Sequence, residues 1–479
     1  MVKSLYDQKT YQHKESLMKN IILQFIKNSI NLANYSDFFS LVSFFNDNIN
    51  TVGIEILRLI LEEHDLKIKN SFARKRAWDI VRINTRTIFT PLGKLTFKHT
   101  YYRNKRTKQY AYLLDQALNI PKYQRLETVL QSKILELTNY LSFENTGKLV
   151  CDSENFTKQT VKKILDKYAH ADIKVKTPQK KREVEYLYIE ADEDHVALQR
   201  DERRSVLNKL IYVHEGKVRE SSKRNYLKNK YIFASNQKKS DDLWIDVYDY
   251  LDRTYNLDKI KQIFILGDGA RWIKTSLDWI DRATYTLDSF HLNKAILIAS
   301  GGKNNKEDYE YLKKLVYSKA KDTFSRSALQ MIEKESNEKK KTRRLEILGY
   351  IKNQWKGIEN FLDNREKHSL GCSAEGHVSH ILASRMSSRP FGWSRTGLEN
   401  ITKLRVNLLN GATRKELADD LRRAERKIAL EKKENVENIE RIKKIPRVTV
   451  ENIPVLNIGQ VNSVFCMMKK LRDSSKTVY

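Results

Sequence analysis

Cysteine is scarce in this chain: Cys151, Cys372 and Cys466 stand far apart among 479 residues. So few thiols give no disulfide framework, and a reducing compartment suits them. Long apolar runs are missing too. Uninterrupted ones reach about five residues, as at Ala295–Ala299, where a membrane span needs about 20. The opening MVKSLYDQKTYQHKES lacks the apolar stretch of a secretion signal, so a cytoplasmic protein without a membrane partner is expected. Internal repeats and low-complexity tracts are not seen. Acid is in deficit, with 60 Asp and Glu against 89 Lys and Arg and a formal charge of +29. That surplus favours a phosphate backbone as partner; acidic lipid or a merely basic surface are the bland alternatives. The 40% apolar content supports real cores, and the length allows roughly two to four domains.

Residues 1–83 read as helical: Leu17, Ile21, Ile22, Phe25 and Ile26 recur at helical spacing, as do Ile54, Leu57, Ile60 and Leu61. Residues 84–125 carry a hairpin signal, with turns at Pro91-Leu92-Gly93 and Asn104-Lys105-Arg106. The strand KLTFKHTYYR mixes basic with aromatic residues, which suits a solvated face and a DNA-facing one equally. Over 126–175 helical periodicity returns as helix, short turn, helix, with an N-cap at Phe156-Thr157 and Val161, Ile164 and Leu165 facing inward. Lys158, Gln159, Lys162 and Lys163 stay exposed near the start of the second helix, where a recognition helix meets the major groove. An ordinary helical hairpin with a solvated basic face is the alternative.

After the linker KTPQKKRE the order changes. Residues 184–299 read as three successive strands, a helix, the strand KIKQIFILGD, a helix from about Ala270 to Ile280, and the strand RATYTLDSF. That is the order of a ribonuclease H-like domain, and the crossover makes QIFILGD parallel to the first strand. Residues 300–368 are helix formers and charge, an all-α insertion. Residues 369–411 return to the core with its last helix, and 412–479 hold a charged helix near Lys415–Lys444 and a tail. The expected class is multidomain α/β: a ribonuclease H-like mixed-sheet catalytic core with an all-α insertion, preceded by helical and helix-turn-helix DNA-binding regions.

Three acidic anchors interrupt the basic chain. Asp192 lies within EADEDHV, Asp268 ends an apolar strand before Gly269, and Glu375 opens a helix in GCSAEGHVSH. Strand alternation sets Glu190, Asp192 and Asp194 on one face and Leu187, Ile189 and Ala191 on the other, so Glu190 and Asp194 remain alternatives for the first acid. Carboxylates on adjacent parallel strands plus one from a helix suit two Mg²⁺ (or Mn²⁺) ions acting on a phosphodiester. Any one Asp alone is better read as a cap or turn. Lys274, Lys294, Arg385 and Arg389 are candidates for phosphate or flanking backbone. His291, His377 and His380 are candidates for contacts beside the metals or on DNA. Cys372, His377 and His380 offer one thiol, and His368 does not complete a familiar zinc spacing.

YIEADEDHVALQ, LIYVHEG, ILGDGARWIK, LDSFHLNK and GCSAEGHVSHILASRMSSRPFGWS resemble the Lre-type bacterial insertion-sequence transposases, relatives of the Mutator-like DDE transposases. The likeness runs from the RTIFTPLGKLTFKHTYY hairpin to about Asn410. It implies a ribonuclease H-like core and a transposase that binds an element's terminal inverted repeats, cleaves DNA and joins 3′-hydroxyl ends to target DNA. It also implies a homo-oligomer on that DNA, at the nucleoid of a bacterial cell. By this likeness the first acid falls within EADEDHV, the second is Asp268 and the third Glu375. In Mutator-like enzymes a small residue and Lys-Val usually follow the first aspartate, a spacing that here lands on Glu190. Many relatives carry Cys-x-x-His after the second acid; Asp288 and His291 stand there, which argues against zinc. A non-catalytic DNA-binding regulator and a nuclease without strand transfer are the competing classes.

Overall fold

The computed structural model describes residues 19–27, 37–220, 225–368, 374–388 and 392–444, the side chains of 225, 374, 375 and 432–444 excepted. The chain divides into two compact units, Met1–Arg422 and Arg423–Tyr479. The elements of the candidate site lie in the first.

Helix α1 (Phe38–Asn70) starts where Asp37 accepts a hydrogen bond from Ser40 N at 2.8 Å, and α2 (Phe72–Ala77) follows directly. Strands β1 (Trp78–Thr90), β2 (Gly93–Asn104) and β3 (Tyr110–Tyr112) form an antiparallel sheet in that order. Both expected turns are present, the first with Gly93 at φ +128°. The first strand begins at Trp78, inside the stretch expected to be helical. WDIVRI pairs across to Asn104 with a bulge between Ile80 and Arg82, so cross-strand pairing overrides local helix preference. Helix α1 lies on β2: Ile54, Leu57 and Leu61 pack on Ile88, Leu95 and Phe97, and Asp65 accepts from Thr100 N at 3.1 Å.

Four helices follow: α3 (Leu113–Ala117), α4 (Thr128–Thr138), α5 (Phe143–Leu149) and α6 (Lys158–Ala169). Thr157 caps α6 by accepting from Thr160 N, and Val161, Ile164 and Leu165 are buried as their spacing predicts. Gly147 is required where α5 meets the next loop, because a Cβ there would lie 1.9 Å from Phe156 O.

The main sheet has five strands in the order β10-β9-β4-β5-β8, made of β4 (Tyr186–Ala197), β5 (Ser205–His214), β8 (Tyr231–Ser235), β9 (Gln262–Gly267) and β10 (Ala283–Leu287). Strands β6 (Lys217–Arg219) and β7 (Asn225–Leu227) form a separate ribbon. Helix α7 (Ser240–Thr254) is the crossover that returns the chain parallel to β4. The segment expected to be helical from Ala270 to Ile280 is only α8 (Arg271–Lys274) and a 3₁₀ turn to Asp278. After α9 (Ser289–Ala299), the segment expected as an all-α insertion holds four helices: α10 (Lys306–Tyr317), α11 (Lys321–Glu333), α12 (Glu338–Asn353) and α13 (Trp355–Asn364). Helix α14 (Ala374–Val378) runs through a π turn (Ser379–Ala383) into α15 (Ser384–Met386), followed by α16 (Arg395–Leu409) and α17 (Arg414–Lys444).

Both faces of the sheet are covered. Leu187, Ile189, Ala191, Ile211 and Val213 pack on α7 and the insertion helices. Val196, Leu210, Tyr212 and Ile232 pack on α4, α6, the π turn and α16. The helical hairpin α5–α6 therefore has its inner face in the same core as the sheet. Among the described residues no helix is long and apolar enough to cross a membrane.

Candidate active site

Parallel pairing sets the geometry of the acids. Strand β4 pairs with β9 up to Glu190↔Leu266, and β9 with β10 up to Gly267↔Leu287. Carrying that register onward brings Asp192, Asp268 and Asp288 to one edge of three neighbouring strands, where β9 and β10 stop and α/β sites form. Asp268 Oδ1 accepts from Ala270 N at 2.9 Å, with Gly269 at φ +94° turning the chain away. The backbone of this turn is gripped by the insertion: Tyr350 donates to Asp268 O at 2.5 Å and Gln354 Nε2 to Gly269 O at 3.2 Å.

Burial pushes the Asp192 carboxyl up to about 6; a hydrogen bond from Glu193 N opposes this and the Asp268 charge adds to it. Asp288 is buried and its two oxygens are used locally, Oδ1 accepting from Phe290 N at 3.1 Å and Oδ2 lying 2.9 Å from His291 Nδ1. That bond raises His291 above its usual range against the opposing effect of burial, and Asp192 and Asp268 raise it further. A histidine held toward its cationic form thus lies within electrostatic reach of Asp192 and Asp268.

The two alternatives for the first acid are engaged elsewhere. Glu190 is fully buried and bonded to Tyr212 Oη and to His214 Nε2, the latter at 3.2 Å. Burial would raise its carboxyl, yet His214 and Tyr212 together hold it down at about 2. Asp194 is buried and accepts from Ser387 Oγ at 2.9 Å, and burial raises it. The three residues share a face by alternation, and Asp192 is electrostatically coupled to Asp268.

Helix α14, which carries Glu375, packs against β4; the Glu375 side chain lies outside the described residues. His377, half-buried, stacks on Tyr212 with ring centroids 4.6 Å apart, which fastens this helix to the Glu190 network. His380 is exposed. The π turn leaves carbonyls without helical partners, and buried Arg405 of α16 takes two of them, donating to Ile381 O and to His380 O at 2.7 Å. Sequence reading missed Arg405, although it interrupts the apolar stripe Leu398, Ile401, Leu408 of its helix. It also missed Tyr350 and the bond from Trp272 Nε1 to Glu193, which no local pattern announces.

The basic candidates separate. Lys274 is half-buried over the Tyr285 ring at 5.4 Å, and Lys294 is exposed near Phe290 at 5.8 Å. Arg385 is only 5% exposed and donates to Thr138 O and Leu141 O, so it binds α4 and its following turn in place of phosphate. Arg389 and Cys372 lie outside the described residues. Lys158, Gln159, Lys162 and Lys163 are all exposed on α6. His368 packs at a tilt against the Tyr186 and Phe264 rings. Among the described residues no group of three His, Cys, Asp or Glu is placed to hold a metal ion.

Sequence comparison adds ancestry. The model of an uncharacterised protein family, UPF0236, matches residues 31–423. One similar protein, from Caldanaerobacter subterraneus subsp. tengcongensis, is 35% identical over 95% of this chain and 95% of its own, and its name joins eleven locus designations. A second from the same bacterium is 36% identical over 90% of this chain and 92% of its own. A third, 34% identical over 96% of this chain and 99% of its own, joins four. The chain belongs to the uncharacterised protein family UPF0236.

Proposed function

We propose that the chain is a DDE-type DNA transposase with a ribonuclease H-like core: it binds element ends, cleaves DNA and joins 3′-hydroxyl ends to target DNA. The observation that carries this is the coupled pair Asp192–Asp268 at adjacent parallel strand ends, with the helix bearing Glu375 packed on the Asp192 strand. Supporting it are the meander, crossover helix, strand, helix and strand in that order, and the basic charge. The many loci joined in the relatives' names fit a sequence that multiplies within a genome.

The site suits a hard cation. Asp192 and Asp268 crowd negative charge that a divalent ion would relieve, and each binds the backbone through Oδ1. Asp192, Asp268 and Glu375 would hold Mg²⁺ or Mn²⁺, which when bound activates the attacking oxygen and stabilises the leaving one. The chain's own part is placement. Tyr350 and Gln354 fix the Asp268 turn, Trp272 fixes the strand beside Asp192, and the Asp288–His291 pair sets a cation facing a phosphate between the acids. Lys158, Gln159, Lys162 and Lys163 on α6 would contact duplex DNA, and a second copy of the chain would hold the other element end. The site acts in the bacterial cytoplasm, on the nucleoid.

The test is a strand-transfer assay with DNA from the gene's own flanks, with Mg²⁺ and with EDTA. Metal-dependent nicking at the element ends and joined product are expected. Nicking without joining would reduce the protein to a nuclease, and end-binding with neither would leave a regulator.

A further inference from the structure

The three-stranded sheet β1-β2-β3 ends in an aromatic and basic face remote in sequence from the acids. On it the rings run from buried to open: His99 stacks on Tyr112 at 3.9 Å, Tyr112 contacts Tyr101 at 4.6 Å, and Tyr101 stacks on Tyr110 at 5.5 Å and 18°. His99 is 3% exposed, Tyr110 53%, and Tyr123 of the neighbouring loop 83%. Half-buried Tyr101 and the two open rings each have a cation: Arg82 lies 5.4 Å from the Tyr101 centroid, Arg103 5.9 Å from Tyr110 and Lys122 4.9 Å from Tyr123. Lys122 is also within electrostatic reach of Tyr101, which places the Tyr123 loop beside the ladder. The carboxylates of this region are taken by others: Asp115 by Arg86 and His99, Asp65 by Thr100, Asp79 by Lys105. Among the described residues Arg82, Arg103 and Lys122 have no carboxylate partner.

An inner ladder that is rigid and buried explains part of this arrangement as packing. It does not explain the outer end, where large tyrosine faces stay in water with unneutralised cations over them. Exposed aromatic faces flanked by cations take flat, electron-rich rings joined by anions, which is what unpaired nucleotides are. A duplex offers its phosphates to such a face but hides its base faces in the stack.

We propose that Tyr101, Tyr110 and Tyr123, with Arg82, Arg103 and Lys122, form a binding face for single-stranded DNA, the bases stacking on the tyrosines and the cations meeting the phosphates. The face does not depend on the cleavage chemistry, since none of these groups is near the acids in sequence or needs a metal.

The experiment measures fluorescence anisotropy of a labelled oligothymidylate of about 12 nucleotides, a length that single-strand grooves cover, titrated with the full-length protein in EDTA. Tyr110→Ala and Tyr123→Ala should each weaken binding about tenfold, the scale of one lost base stack, while Tyr110→Phe stays within about twofold. A duplex of equal length should lose less than about twofold in the same variants, because its contacts are to phosphate. Unchanged oligothymidylate binding in both alanine variants overturns the proposal, and so does an equal loss for the duplex. Tyr123 is open enough that its truncation cannot unfold the sheet, which keeps that result interpretable. With EDTA present, failure here leaves the cleavage proposal standing, and failure of cleavage leaves this one standing.

Discussion

Glu190→Gln separates a structural acid from a metal-holding one. Glu190 is sealed between Tyr212 and His214, and its carboxyl sits at about 2 against an ordinary 4.5. That difference corresponds to about 3 kcal/mol of preference for the charged form in the fold. Because the folded value is depressed, this stabilisation is fully present above pH 4.5 and is lost as pH falls toward 2. The glutamine keeps the shape and gives up the charge, so the variant should be less stable by about 3 kcal/mol at pH 7, in line with breaking a buried pair. Thermal unfolding should drop by about 3 °C. The gap between variant and wild type should close between pH 4.5 and pH 2, since only the wild type has this term to lose. The assay is a pH series of melts followed by circular dichroism, beside a cleavage assay at a temperature where both proteins are folded. Wild-type stability with cleavage abolished would refute the reasoning and make Glu190 the first metal ligand. A gap that stays constant from pH 7 to pH 2 would refute its electrostatic origin.

Asp192→Asn should do the reverse: its carboxyl is raised to about 6 from 3.8, a penalty absent below pH 3.8 and complete above pH 6, so at pH 7 the variant should melt higher, by up to about 3 kcal/mol, while cutting falls by orders of magnitude. A lower melting point, or retained cutting, would contradict this. Mg²⁺ should raise the melting temperature of the wild type and not of Asp192→Asn or Asp268→Asn, read in the same melts; equal shifts in all three would remove the metal from this site. Lys158→Ala and Lys162→Ala in the full chain should each reduce the salt slope of duplex binding by about one, measured by anisotropy from low to high salt, and unchanged slopes would take α6 off the DNA.

Much of the sheet was legible because its strands carry two strong signals. The apolar run QIFILG could only be a covered strand, and its Asp-Gly end marked the edge where β9 stops. Alternation through Glu190, Asp192 and Asp194 also held, yet it could not tell the three apart. Their fates depend on what β5 and the π turn set opposite them: Tyr212 and His214 for one, Ser387 for another. Partners of that kind come from more than 20 residues away and leave no local trace. Arg385 shows the same limit from the other side. In a basic chain it read as a candidate for phosphate or DNA backbone, and only the carbonyls of Thr138 and Leu141, some 240 residues earlier, reveal it as buried. The strand at Trp78–Ile83 was hidden by helix-forming neighbours, and pairing with β2 decided it.

The π turn at Ser379–Ala383 amounts to one residue of slack in the helix that bears Glu375. An α-helix advances about 100° per residue, so a chain one residue shorter here would close into regular helix and swing Glu375 about a quarter-turn around the axis. Arg405 of α16 holds the turn itself, through Ile381 O and His380 O, so the same change would also disturb that contact. The phase of Glu375 relative to the sheet is thus tied to the residue count of this turn. In the proposed transposase, a change of length in this short stretch would therefore turn Glu375 relative to Asp192 and Asp268.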